Sequence, residues 1–438
     1  MINSWSSRAN RSNSWQKSTL RDSYCQRSPA GHSPGRKPAT TVHTWPGRDA
    51  LLISAESGAA DLYEVKSSTR IKPEDVEDTS FQALILQKFY RIEHIYLMLV
   101  NNAYTLHGQL DLAQLLKVED ITDQVQAILP EIDVLRGEAL QVAQCYDPET
   151  LEHCWKPEEC ICLDVCHPDL PDFSIYDIPR LGKEKKRQLE EMGIRAAREI
   201  PDSFKLSNSQ REIANLARMD EPILDAPHIR EELGKITYPI YFLDYESCNP
   251  VVPLYDGYKP YQQMVFQYSL HRLDGPEAEV VHFEHLSSGQ GDPSLPTLAS
   301  LKANLDGQGT VVVWYAPFEK ARNDEMAMLH PEYAEFLQDV NLRIYDLMDM
   351  VRNGLYLHPG FKGSCSIKQV LPVMVPELSY AEMEINEGKK AAWGWWNIIF
   401  APLEEGEKKV IADQLLAYCH LDTLAMVEIY RKLAAITN

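Results

Sequence analysis

The tightest limit on what this chain can fold into comes from residues 238–246, YPIYFLDYE. An apolar, aromatic-rich run of this length reads as a core strand, yet it ends in Asp244 and Glu246. Strand alternation puts both carboxylates on one face, roughly 7 Å apart along the backbone. Two like charges side by side repel unless a cation stands between them. The run therefore predicts a strand with a divalent-metal site at its end.

The chain's 438 residues, 44% of them hydrophobic, suffice for two or three domains with cores of their own. No apolar stretch reads as long enough for a bilayer and no signal peptide opens the chain, so an intracellular, cytoplasmic location is expected. The net charge of −21 argues against holding nucleic acid by a broad basic field. It leaves open an enzyme that meets phosphates through bound metal ions. Residues 1–48 hold eight Lys and Arg against one Asp, a net +7, so the remainder carries −28.

Composition and periodicity divide the chain further. Residues 1–47, rich in Ser, Arg and Pro, read as a disordered basic tail. Residues 48–143 give a β-β-α-β order through RDALLIS, DLYEVKSS, PEDVEDTSFQALILQKFY and EHIYLMLV, a small α/β segment. A Cys-rich stretch occupies 144–172 and short helices 173–236, one of them stopping at Gly193. A second α/β domain fills 237–438, with strands in YPIYFLDYE, MVFQYSLHR, EVVHFEHL and TVVVWYA and a mostly helical second half.

Three further acids bear on the opening pair. Glu319 begins a helix after the strand TVVVWYA, Asp346 ends NLRIYD, and Asp422 lies four residues after Tyr418 on a late helix, sharing its face. This order resembles the DEDD exonucleases of the RNase H-like fold, whose motifs are Asp-x-Glu on the first strand, an acid after a later strand, and Tyr-x-x-x-Asp on a late helix. The resemblance implies that Asp244, Glu246, Glu319 and Asp422 hold two Mg²⁺ or Mn²⁺ ions and that Tyr418 orients the attacking water. Hard oxygen ligands suit those ions, and two ions together activate a water and stabilise the leaving oxygen of a phosphodiester. The second motif is normally Asp, so Glu319 departs from the pattern by a methylene, with Asp346 in reserve.

Earlier in the chain, Asp49 precedes Glu64 and Lys66, which alternation puts on one face of a strand. An acid followed by Glu-x-Lys resembles the PD-(D/E)xK nucleases, in which the acids hold a metal and the lysine helps polarise the water. In the RecB-like branch a Gln follows on the next helix, and Gln82 is similar to it. A surface Glu–Lys pair is the plain alternative. Cys154, Cys160 and Cys166 follow with five residues between neighbours. RecB-like nucleases often carry a 4Fe-4S cluster on such thiolates. A fourth ligand would be needed, with Cys145 or Cys162 available and zinc or simple reduced thiols as alternatives.

LYEVKSST, FLDYES, PYQQMVFQYSLH, FEKARNDEMA, GSCSIKQVLP and YCHLDTLAM, in that order, resemble a bacterial domain-of-unknown-function family. That family joins a RecB-like nuclease segment to an RNase H-like exonuclease domain. Residues 1–47 look unlike its N-terminal segment, so a truncated or frame-shifted beginning is expected. Gln263, Gln267 and His271 among aromatics are candidates for stacking and holding bases, and Lys368 near a glycine-rich helix start for meeting a phosphate. The expected activity is metal-dependent 3′–5′ exonucleolytic cleavage of DNA or RNA from a single-stranded end. A binding scaffold on degenerate nuclease folds and a small-nucleotide phosphohydrolase are its rivals.

Overall fold

A computed structural model describes residues 40–44, 49–54, 59–144, 167, 169–305 and 307–437, with the backbone alone for 40–44 and 49–54. By contacts the chain divides into two units, Met1–Tyr146 with Asn249–Gln262, and Asp147–Cys248 with Gln263–Asn438. The helical stretch 173–236, read from sequence as a linker region, thus groups with the second unit. Residues 249–262, read as part of the C-terminal domain, group with the first.

The first unit holds a five-stranded sheet in sequential order: β1 (Thr40–Thr44), β2 (Asp49–Ser54), β3 (Ala59–Val65), β4 (Arg91–Val100) and β5 (Leu116–Asp120). The β3–β4 pair is parallel and the other pairs antiparallel. Helix α1 (Pro73–Leu86) supplies the crossover that a parallel pair needs. Pro73 opens it, and the Asp75 carboxylate accepts a bond from the Lys72 backbone N–H at 3.1 Å. Helix α2 (Thr122–Gln144) follows β5, and Leu62, Ala83, Ile95, Leu97 and Val125 make the core. Strand β1 corrects the assignment to a structureless tail for Thr40–Thr44; residues 1–39 and 45–47 lie outside the described residues. The strand's TTVHT sequence is rich in β-branched residues, whose propensity for a pleated edge outweighs the polar composition around it.

The second unit begins with α3 (Lys183–Glu191) and α4 (Asn208–Leu216) around a small cluster containing Ile175, Ile178 and Leu189. Gly193, at φ +75°, ends the α3 segment as expected. After α5 (Ala226–Leu233) comes the main sheet: β6 (Ile240–Cys248), β7 (Met264–Leu273), β8 (Val280–Leu286), β9 (Thr310–Val313) and β10 (Ile344–Asp346). Its order is β10-β9-β6-β7-β8. Strands β6, β7 and β8 run antiparallel in turn, whereas β9 lies parallel to both β6 and β10. Gly309, at φ +78°, brings the chain into β9 so close to Pro239 that an added Cβ would lie 1.9 Å from its carbonyl oxygen.

Helices α6 (Ser294–Asn304), α7 (Ala316–Leu329) and α8 (Ala334–Arg343) cover one face of this sheet over Tyr241, Leu243, Tyr245 and Val313. After α9 (Ile367–Met374) and α10 (Gly388–Phe400), the 33-residue α11 (Glu405–Thr437) contacts β6, β7 and β8. The sequence reading found no bilayer-length stretch. Among the described residues α11 alone is long and apolar enough to cross a membrane, by length and composition only. Its apolarity has a local cause: Leu415, Cys419, Met426 and Ile429 are buried within the unit.

Candidate active site

Strand β6 carries the site. Its odd-numbered residues Tyr241, Leu243 and Tyr245 belong to the apolar core, so Asp244 and Glu246 take the opposite face. Glu319 arrives from the first turn of α7, directly after β9, and is 1% exposed. Tyr418 and Asp422 lie one turn apart on α11, both buried.

The electrostatics tie the four carboxylates together. Burial lifts Asp244 well above the usual carboxylate range, and the charge of Asp422 adds to it. Glu246 is lifted by burial and then by Asp244 and Asp422, and Glu319 by burial and then by Asp244. Burial raises Asp422 to about 6, against the opposing pull of Tyr380, Lys368 and Tyr418. Glu319 Oε2 is buried with no hydrogen-bond partner among the described residues. One oxygen each from Asp244 and Glu246 and the Cys419 sulfur lie within 4.8 Å of one another. Buried acids crowded in this way match the hard-oxygen donor set that Mg²⁺ or Mn²⁺ takes.

Lys368, near the start of α9, is the cation whose field reaches Asp244, Glu246 and Asp422. Its ammonium stands 5.0 Å from the Tyr418 ring centre and 5.7 Å from that of Tyr380, and it donates to the Asn386 carbonyl at 2.7 Å. The first residue of α10 also abuts the site: a Cβ on Gly388 would lie 3.8 Å from Glu246 Oε2. The positive end of that helix thus approaches the acids.

Three contacts went unread in the sequence. The Tyr380 hydroxyl donates to Asp422 Oδ1 at 2.6 Å. It stands 42 residues away in an irregular segment, and no local pattern marks it. The Cys419 thiol faces Asp244 Oδ2 at 3.7 Å, a placement legible only with the register of α11 in hand. The helix start beside Glu246 is the third.

Several expected residues take other places. Gln267 is fully buried and donates to the Leu415 carbonyl at 2.8 Å, and His271 is buried with Nδ1 2.8 Å from Thr423 Oγ1. Alternation along β7 turns both toward α11, which corrects their assignment to substrate. Gln263 accepts from the Ser247 hydroxyl at 2.9 Å. Asp346, the reserve metal ligand, accepts from the backbone N–H groups of Tyr315 and Ala316 at 3.0 Å each and so fixes the start of α7.

In the first unit the β2–β3 register sets Asp49 opposite Glu64; the Asp49 side chain lies outside the described residues. Lys66 pairs with the buried Glu64 at 2.8 Å and also bonds Asp78 on α1. Burial alone would pull the Lys66 ammonium down, but those two partners outweigh it and hold it above its usual range. Gln82 follows Asp78 by one turn on the same helix face. Cys154, Cys160 and Cys166 lie outside the described residues.

No curated protein and no solved structure matches the chain. Residues 241–366 match the model of a family described as a domain of unknown function, DUF2779, a span that includes Asp244, Glu246 and Glu319 and stops short of Lys368, Tyr418 and Asp422.

Proposed function

We propose that the second unit is an RNase H-like, metal-dependent nuclease that hydrolyses phosphodiester bonds of DNA or RNA, working from a single-stranded 3′ end. The observation that carries this reading is the convergence of four buried carboxylates from three separate elements, β6, α7 and α11: the charge of Asp422 raises Asp244, and that of Asp244 raises Glu246 and Glu319. A sheet with three antiparallel strands followed by two parallel ones, ordered β10-β9-β6-β7-β8, accords with that fold. The intracellular location expected from sequence belongs to the same reading.

Asp244, Glu246, Glu319 and Asp422 would hold Mg²⁺ or Mn²⁺. Bound there, the ions would neutralise the acids and supply an activated water and a Lewis acid for the phosphodiester. Tyr418 is held protonated at neutral pH, because burial and the Asp422 charge push its phenol far up. It therefore serves as a hydrogen-bond donor that orients water rather than as a base. Lys368 and the start of α10 offer positive charge to a phosphate group.

The first unit fits a second, RecB-like PD-(D/E)xK site, with Asp49 and Glu64 as acids and Lys66 and Gln82 beside them. Its β-β-β-α-β order with one parallel pair supports this. The test compares the metal-dependent hydrolysis of oligonucleotides and of single nucleoside triphosphates by the purified full chain. Turnover of the oligonucleotide that Asp244→Asn abolishes supports the nuclease. Turnover of the triphosphate alone replaces it with the phosphohydrolase reading, and tight binding without turnover replaces it with the scaffold.

A further inference from the structure

Beside the carboxylates, on the same face of the sheet, stands a group of three histidines that the nuclease reading does not use. His271 comes from β7, His282 from β8 and His420 from α11. Their ring centres are 4.4, 4.8 and 4.3 Å apart. One ring nitrogen from each lies within 4.8 Å of the other two, and His282 Nδ1 is 3.3 Å from His420 Nδ1.

We propose that His271, His282 and His420 form a binding site for a single zinc-class transition-metal ion that clasps α11 to the β7–β8 side of the sheet. Three imidazoles are a borderline-soft donor set, suited to zinc and its neighbours rather than to magnesium. The spacing agrees. Two nitrogens each about 2.0–2.1 Å from a tetrahedral centre stand about 3.3–3.4 Å apart, which is the separation of the His282 and His420 nitrogens.

The surrounding hydrogen bonds also prepare the rings. Thr423 Oγ1 lies 3.2 Å from the His420 carbonyl, 2.8 Å from His271 Nδ1 and 2.6 Å from Ser269 Oγ, and Ser269 Oγ lies 2.9 Å from His282 Nε2. One proton assignment uses every contact. Thr423 donates to the helix carbonyl, Ser269 and His271 Nδ1 donate to Thr423, and His282 Nε2 donates to Ser269. Lone pairs are then left on His271 Nε2 and on His282 Nδ1, the nitrogen that faces His420. Metal-bound histidines are oriented in this manner, by a bond from the other ring nitrogen. Glu284 Oε2, 4.0 Å from His282 Nε2, reinforces the same tautomer. Burial together with the neighbouring rings draws His271 down to about 3 and His282 to about 4, so both are neutral at physiological pH, as ligands must be. His420 is two residues from Asp422, so a clasp here also fixes the part of α11 that reaches the carboxylates.

The test uses the full chain, stripped by chelator, and titrates Zn²⁺ calorimetrically and Co²⁺ by its visible absorption. Wild type is compared with His282→Ala and His420→Asn, both at half-buried positions, and with Asp244→Asn. The proposal expects each histidine variant to bind one equivalent fewer than wild type, with the visible bands of tetrahedral Co²⁺ diminished. It expects Asp244→Asn to retain that equivalent. Free zinc at a hundredfold above Kd should raise the wild-type Tm by roughly 5–10 °C more than that of a folded histidine variant. The difference between chains cancels any zinc taken up by the cysteine-rich stretch. Equal stoichiometry in wild type and in whichever histidine variant folds, or loss confined to Asp244→Asn, would overturn the proposal. The three rings would then be held by their hydrogen bonds to Thr423, to Ser269 and between His282 and His420, without a metal.

Discussion

Replacing Asp422 by Asn should make the metal-free protein more stable and remove its response to Mn²⁺. Asp422 is 7% exposed, and its carboxyl titrates at about 6 rather than at the ordinary 3.8. An acid raised on folding favours the native state only while protonated. Its contribution is complete below pH 4 and disappears as the pH climbs through 6. The shift of about two units corresponds to about 3 kcal/mol lost by pH 7.5. Asn keeps an oxygen to accept the Tyr380 hydroxyl, so that bond survives the change. The assay is thermal melting of the full chain in chelator at pH 4, 5, 6 and 7.5. Asp422→Asn should melt roughly 5–10 °C above wild type at pH 7.5 and level with it at pH 4. Added Mn²⁺ should then raise wild type and leave the variant where it was. A variant equal to or less stable than wild type at pH 7.5 would refute the reasoning, because burial would then not be penalising the Asp422 charge.

Tyr418→Phe removes one donor near Asp422 and should lower kcat about 10- to 100-fold while leaving the Mn²⁺ concentration dependence unchanged; a shift in metal affinity instead would make Tyr418 part of the metal site. Lys66→Ala strips the fully buried Glu64 of its counter-ion and should cost about 2–3 kcal/mol in urea denaturation at neutral pH, with an unchanged denaturation midpoint arguing against the pairing. Gly309→Ala would set a Cβ against the Pro239 carbonyl at a positive φ and should destabilise the second unit by at least about 2 kcal/mol, with a wild-type melting curve arguing against the close approach. Trp395→Ala empties a fully buried site where the ring stacks on Phe266 and donates to the Ser287 carbonyl at 2.7 Å, and about 3–5 kcal/mol should be lost.

The strands were the most legible part, because period-two alternation and flanking turn residues are written locally. Asp244 and Glu246 could be assigned to one face from that period, and Tyr418 with Asp422 from the helical one. What a period cannot say is which element will cover a face. Gln267 and His271 alternate correctly, yet the helix that buries them begins more than 130 residues later. The same limit hid Tyr380, whose bond to Asp422 exists only in the folded chain. Asp346 looked like a metal ligand because an acid after a strand is the expected pattern; two backbone N–H groups claimed it instead. Strand β1 was lost in a Ser- and Arg-rich background, although its own five residues carry strong β propensity.

The measurement that bears most directly on the central claim follows single-stranded DNA and RNA, labelled at either end, during incubation with the full chain and Mg²⁺ or Mn²⁺. Wild type, Asp244→Asn and Lys66→Ala are run side by side. The account predicts a ladder of products shortened stepwise from the 3′ end, absent with chelator and in Asp244→Asn and retained in Lys66→Ala. Substrate that stays full length with folded wild-type protein and either metal, or a ladder undiminished in Asp244→Asn, would contradict it.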